Sequence, residues 1–112
     1  MGFGIDIIEI DRFRKRKVEN YKSFYASIFT NPELKRCLKY SDPYTHFSGI
    51  FAAKEAVMKG TNRIRSFTDI EICKERNGKP FVKIDKKRER GLEISISHTK
   101  EIAVAISYAH EV

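Results

Sequence analysis

Apolar residues change their spacing twice along this 112-residue chain, and each change marks a different element. Residues 3–10, FGIDIIEI, are rich in β-branched side chains and predict a strand, with Asp6 an anomaly in its middle. Asp11 is a candidate cap for a helix that carries Tyr21, Phe24, Tyr25 and Ile28 on its apolar side. Asn31-Pro32 and Asp42-Pro43 each pair a capping residue with a favoured first helical residue. The first opens a short helix through Leu34 and Leu38, the second a long one that stops at Gly60. In the long helix Tyr44, Phe47, Phe51 and Met58 form a stripe at three, four and seven residue spacings, bordered by Lys54 and Glu55.

Beyond Gly60 the period becomes two. Ile70 and Ile72 alternate with Asp69 and Glu71, and Asn77-Gly78 predicts a type I′ turn into a strand over 81–84. Leu92, Ile94, Ile96 and His98 alternate with polar residues, and Ile102, Val104, Ile106 and Tyr108 resume the pattern after a turn at Thr99-Lys100-Glu101. The charged segment 85–91 reads as a connector, a helical turn at most. The expected architecture is α+β: a mainly antiparallel sheet with helices packed on one face, forming a single small domain over residues 1–112.

Composition narrows the function. No repeat or linker divides the chain, and 22 Lys+Arg against 15 Asp+Glu leave a net charge of +7, which favours polyanionic partners. Cys37 and Cys73 are too few and too far apart for a disulfide framework or a CxxC metal site. The longest uncharged stretch, 43–53, has eleven residues, far short of the about 20 that span a bilayer. The expectation is a soluble, cytoplasmic protein without a membrane partner.

Asp6 and Glu55 are the carboxylates least explained by solvation. Magnesium commonly takes one or two carboxylates, with waters and substrate phosphates completing its shell, so the pair suits that ion. On the residues alone, an edge-strand Asp6 and a Glu55–Lys59 pair four residues apart are more simply read as ordinary surface groups. His98 ends an apolar face and by default is a hydrogen-bonded, partly buried histidine. His46 and His110 have no patterned partners for zinc. Asn77-Gly78-Lys79-Pro80 is a good turn whose free N–H groups, with Lys74 nearby, can also hold a phosphate. Residues 12–17 hold five cations in six positions, either a solvated helix face or a docking surface for an acidic partner.

Four segments, in order, resemble the holo-[acyl-carrier-protein] synthases, the small trimeric class of 4′-phosphopantetheinyl transferases. Residues 4–10, GIDIIEI, are similar to the family's N-terminal strand. The FAAKEAVMK run of 51–59 is similar to its KEA helix and is the most specific signal. Asn77-Gly78-Lys79-Pro80 and Ile96-Ser97-His98-Thr99 match two further segments, and Ile28-Phe29-Thr30 followed by Glu33 also fits.

The resemblance implies a transfer of 4′-phosphopantetheine from coenzyme A to a serine of apo acyl carrier protein, in fatty-acid biosynthesis. It assigns Mg2+ to Asp6 and Glu55; as catalytic residues, Lys59, one helical turn beyond Glu55, is placed to add positive charge at the same spot, and the base for the serine proton is Glu55 or a metal-bound water. It assigns the nucleotide half of coenzyme A to Lys74, Asn77, Gly78, Pro80, His98 and Thr99. The acidic carrier protein falls to Arg12, Arg14 and Lys15, and the active sites fall between subunits of a homotrimer. Two departures stand out: Ile50 occupies a position where the family often has Arg, and the segment 60–64 is short, with Arg63 or Arg65 as candidate replacements. The rival reading, a small basic nucleic-acid-binding module, has Lys74, Arg76, Lys79 and Lys83 on its hairpins but lacks an aromatic platform.

Overall fold

The computed structural model describes residues 2–61 and 66–110. Strand β1 (Gly2–Glu9) leads into a one-turn helix α1 (Asp11–Arg14). A 3-10 turn (Val18–Asn20) follows, then helices α2 (Lys22–Ile28), α3 (Asn31–Cys37) and α4 (Pro43–Thr61). After a second 3-10 turn (Phe67–Asp69) come strands β2 (Ile70–Lys74), β3 (Pro80–Ile84), β4 (Lys87–Arg88), β5 (Leu92–His98) and β6 (Ile102–Ala109). The architecture is α+β, and the strands form two antiparallel three-stranded sheets, β1-β6-β5 and β2-β3-β4, where one sheet was expected.

The single helix expected across 12–28 is broken. Its run of adjacent cations disfavours continuation, and the buried Tyr25 hydroxyl lies 2.6 Å from the carbonyl of Arg16, just past α1, and 3.2 Å from that of Phe13, which also accepts from the Arg16 N–H. The cap of α3 is Thr30 and not Asn31: its hydroxyl accepts from the Glu33 N–H while Glu33 accepts from the Thr30 N–H, a reciprocal capping box. Asp42 does cap α4, accepting from the Tyr44 N–H and the Thr45 hydroxyl.

Helix α4 runs one residue past Gly60 and is buried on nearly every side, not along one stripe; of the expected stripe only Phe47 is fully enclosed. The sheet β1-β6-β5 lies against its small residues. A Cβ on Gly4 would stand 1.7 Å from the Ala56 carbonyl oxygen, so only glycine permits this approach. The Ser107 hydroxyl donates to the same oxygen at 2.8 Å. On its other side α4 packs its Phe47 against Tyr25 and Phe29, which in turn meet Phe13.

The turn at Thr99-Lys100-Glu101 joins β5 to β6 as expected, but the turn type at Asn77-Gly78 and the connector at 85–91 need correction. At 75–79 only Gly78 has positive φ, at 89°, and its N–H donates to the Glu75 carbonyl. This is a type I turn followed by a left-handed glycine, because Asn77 instead uses its side chain to accept from the Lys79 N–H. The type I′ geometry occurs at Asp85-Lys86, with φ of 50° and 70°, where Ile84 pairs with Lys87. The segment expected as a connector therefore holds a hairpin and strand β4.

Candidate active site

Along β1 the side chains alternate sharply. Gly2, Gly4, Asp6 and Ile8 face α4; Phe3, Ile5 and Ile7 face away. Asp6 therefore points at the helix flank, its side chain only 16% exposed, and its carboxylate meets the Lys59 ammonium at 3.2 Å. Lys59 also donates to the Ile5 carbonyl at 3.0 Å. The expected surface pair between Glu55 and Lys59 gives way to this one. Half-buried Glu55 sits one turn before Lys59 on the same flank of α4. A partly desolvated carboxylate that already holds a cation, with a second carboxylate on the same flank, fits a hard divalent ion that needs only one or two such ligands. Asp6 and Glu55 are the residues that would hold magnesium; among the described residues no cluster of three or more His, Cys, Asp or Glu forms.

Lys54, expected at the rim of the helix stripe, is fully buried. Its ammonium lies 2.6 Å from the Glu33 carboxylate and donates to the carbonyls of Ile28 and Phe67 at 2.7 and 3.1 Å. Burial pulls its pKa down, opposed by Glu33. The other Glu33 oxygen accepts from the Ile72 N–H at 2.6 Å. This buried pair fixes α4, and with it Glu55, against α3 and β2.

A cavity of about 420 Å³ opens where α3, the start of α4, the 75–79 turn and β5 converge. Lys74, Gly78, Pro80 and His98 line it together; Asn77 and Thr99 do not, and their side chains hold the two adjacent turns. His98 is exposed, contrary to the buried default, because it is the last residue of β5; its Nδ1 lies 3.2 Å from the Thr99 carbonyl. Sequence reasoning missed Arg36, Tyr40 and His46 on the same walls, and Lys79, named there only as part of the turn and of the rival reading, joins them. His46 stacks on Tyr40 with ring centres 3.6 Å apart, and burial together with Lys74 and His98 holds its pKa below the ordinary range. Ile50 contributes apolar wall, and no carboxylate lines the cavity among the described residues. Cys37, also on the wall, is a free thiol whose pKa burial pushes up to about 12. The candidate replacements Arg63 and Arg65 lie outside the described residues.

The basic segment divides into two roles. Arg12 and Lys15 are exposed, whereas Arg14 is tied down: it donates to Asp42 at 2.9 Å and to the Lys100 carbonyl at 3.0 Å. It thereby joins α1 to the cap of α4 and to the β5–β6 turn.

Residues 2–107 match the model of the 4′-phosphopantetheinyl transferase superfamily. The holo-[acyl-carrier-protein] synthase of Caldicellulosiruptor bescii is 39% identical over 121 aligned positions, covering 98% of each chain. The chain belongs to the holo-[acyl-carrier-protein] synthase family. It is an enzyme of the transferase class. The synthase of Bacillus subtilis is 39% identical over 93% of this chain and 90% of its own. Among solved structures, the Bacillus anthracis synthase in complex with CoA (3′,5′-ADP) superposes with a TM-score of 0.77 at 34% identity, covering 95% of this chain and 92% of its own. The Helicobacter pylori synthase in complex with coenzyme A gives 0.78 at 30%, covering 96% and 98%. Among the described residues no helix is long and apolar enough to cross a membrane.

Proposed function

We propose that this chain transfers the 4′-phosphopantetheine group of coenzyme A to a serine hydroxyl of apo acyl carrier protein, releasing adenosine 3′,5′-bisphosphate, in cytoplasmic fatty-acid biosynthesis. The observation that carries this reading is the cavity whose walls hold Arg36, Lys74, Lys79, His46 and His98 and, among the described residues, no carboxylate, a receptacle for a multiply charged anion. The serine oxygen attacks the pantetheine-side phosphorus of the pyrophosphate, that phosphorus parts from its bridging oxygen, and the serine proton leaves. Lys59 brings positive charge to the phosphoryl oxygens, and Glu55 is the carboxylate on that flank able to take the proton. Held by Asp6 and Glu55, magnesium supplies charge neutralisation on the transferred and leaving groups.

The site is shared between subunits in this reading. Phe3, Ile5 and Ile7 are 69%, 61% and 66% exposed, and they pair in register with Tyr108, Ile106 and Val104 on the same open face of the sheet. A contiguous apolar sheet face of this kind marks a subunit contact. A closed trimer through it sets Asp6, Glu55 and Lys59 of one subunit against Lys74, Asn77, Gly78, Pro80, His98 and Thr99 of the next. Arg12 and Lys15, with Arg14 behind them, offer the acidic carrier protein a docking surface.

Mass spectrometry of an apo carrier protein incubated with the chain, coenzyme A and magnesium tests the reaction; the phosphopantetheine mass should appear, and should vanish with Glu55→Gln. Salt-sensitive nucleic-acid binding without product would favour the basic-module reading instead. Mixing Glu55→Gln with His98→Ala subunits should restore about a quarter of the sites, one good interface in each mixed trimer. Absence of rescue in demonstrably mixed trimers would refute the shared site.

A further inference from the structure

Helix α3 grips β2 through one residue. The Glu33 carboxylate accepts from the Ile72 N–H, and three residues on, the Arg36 guanidinium donates from one Nη to the Ile72 carbonyl at 2.7 Å. A guanidinium carries five N–H donors in a rigid plane. Pinned by one, half-buried in the cavity wall, Arg36 keeps its others for a ligand, and no carboxylate pairs with it among the described residues. A half-buried cation with free donors in a cavity wall is suited to meet an anion through charge-assisted hydrogen bonds.

Lys74, two residues beyond Ile72, adds a second permanent charge on the same wall. Opposite, α4 presents Ile50, so α4 brings no permanent charge of its own here. The nucleotide donor of the proposed reaction carries its pyrophosphate toward Asp6, Glu55 and Lys59, where the bond breaks. The phosphate left for the cavity is the monoester on the ribose.

We infer that Arg36 is a specificity-determining residue that, together with Lys74, binds the ribose phosphate monoester of the donor and selects it over a donor lacking that group. The inference rests on the coenzyme A reading of the site. The fork suits two phosphate oxygens, and its orientation is set in advance by the Ile72 carbonyl, so little side-chain freedom is lost on binding.

The test compares adenosine 3′,5′-bisphosphate with adenosine 5′-monophosphate by calorimetry, and coenzyme A with 3′-dephospho-coenzyme A in the transfer assay, for the unaltered protein, Arg36→Gln and Arg36→Lys. Loss of charge-assisted bonds to the monoester should weaken bisphosphate binding by about ten- to a hundredfold in Arg36→Gln. Monophosphate binding should change little, so the preference for the 3′-phosphorylated donor in kcat/KM collapses. Arg36→Lys, which keeps the charge and a donor for Ile72, should retain the fold and fall between. Equal weakening of both nucleotides, or an unchanged preference in either folded variant, would overturn the role of Arg36. Failure of the unaltered protein to bind the bisphosphate or form product would instead sink the coenzyme A reading itself.

Discussion

Replacing Lys54 by Met isolates the energetics of the buried pair. Both Lys54 and Glu33 have side chains with no exposure to solvent. The methionine fills similar space but leaves the Glu33 carboxylate buried without its cation, and leaves the carbonyls of Ile28 and Phe67 without their donor. Breaking a buried pair from one side costs about 3–5 kcal/mol. With an unfolding entropy of about 0.24 kcal/mol/K for a chain of this length, about 4 kcal/mol lowers Tm by about 17 °C. The double variant Lys54→Met/Glu33→Leu removes the stranded charge but also orphans the N–H groups of Thr30 and Ile72, each worth about 1–3 kcal/mol when buried. It should therefore regain no more than about half of the loss. Thermal melts at one fixed protein concentration, supported by urea midpoints at unchanged m-value, measure both variants. A drop below about 3 °C for the single variant, or full recovery in the double, would show that the pair is not the hub for these four backbone groups.

Four further outcomes follow from other contacts. Gly4→Ala drives a Cβ into the Ala56 carbonyl, a backbone atom that cannot step aside, and should cost about 3 kcal/mol or more by urea titration. Ile106→Lys, on the open sheet face, should give a folded monomer by light scattering that forms no product alone. Arg14 holds the Asp42 carboxyl below its ordinary value of 3.8. Such a group stabilises above its unfolded pKa and loses that contribution as pH falls through the lower folded one. The stability gap between the unaltered protein and Arg14→Gln should accordingly be flat from about pH 5 to 8 and narrow below about pH 4; a constant gap down to pH 2 would exclude this linkage. Glu55→Gln should keep its Tm within about 2 °C, since Glu55 is only half-buried, so that a large loss of melting temperature would make its lost activity uninformative about chemistry.

Local pattern sufficed for much of the fold and less of the site. The order of strands and helices, both long hairpins and the α4 span were legible because each rests on residues close in sequence: the 92–98 and 102–109 alternation, or Asp42-Pro43. Turn chemistry was less legible. Asp85-Lys86 adopts positive φ without a glycine to advertise it, while Asn77-Gly78, the stronger signal, spends its asparagine on a side-chain bond. The burial of Lys54 was invisible, since its partner lies 21 residues away and a lysine on an apolar helix reads as a rim residue. Arg36 was equally hidden; on sequence it is one more cation on a short helix, and only the approach of α3 to β2 turns it into the cavity.

The clamp on Ile72 also bears on how this protein avoids aberrant assembly. Strand β2 borders its sheet, and a bare border is a template on which a foreign strand can be laid down. Glu33 and Arg36 occupy the donor and acceptor that such a strand would need at its midpoint, and do so with side chains bound into a buried ion pair and a cavity wall. Runaway strand addition is thereby blocked on β2, while the apolar face of the other sheet stays free for contacts that close on themselves.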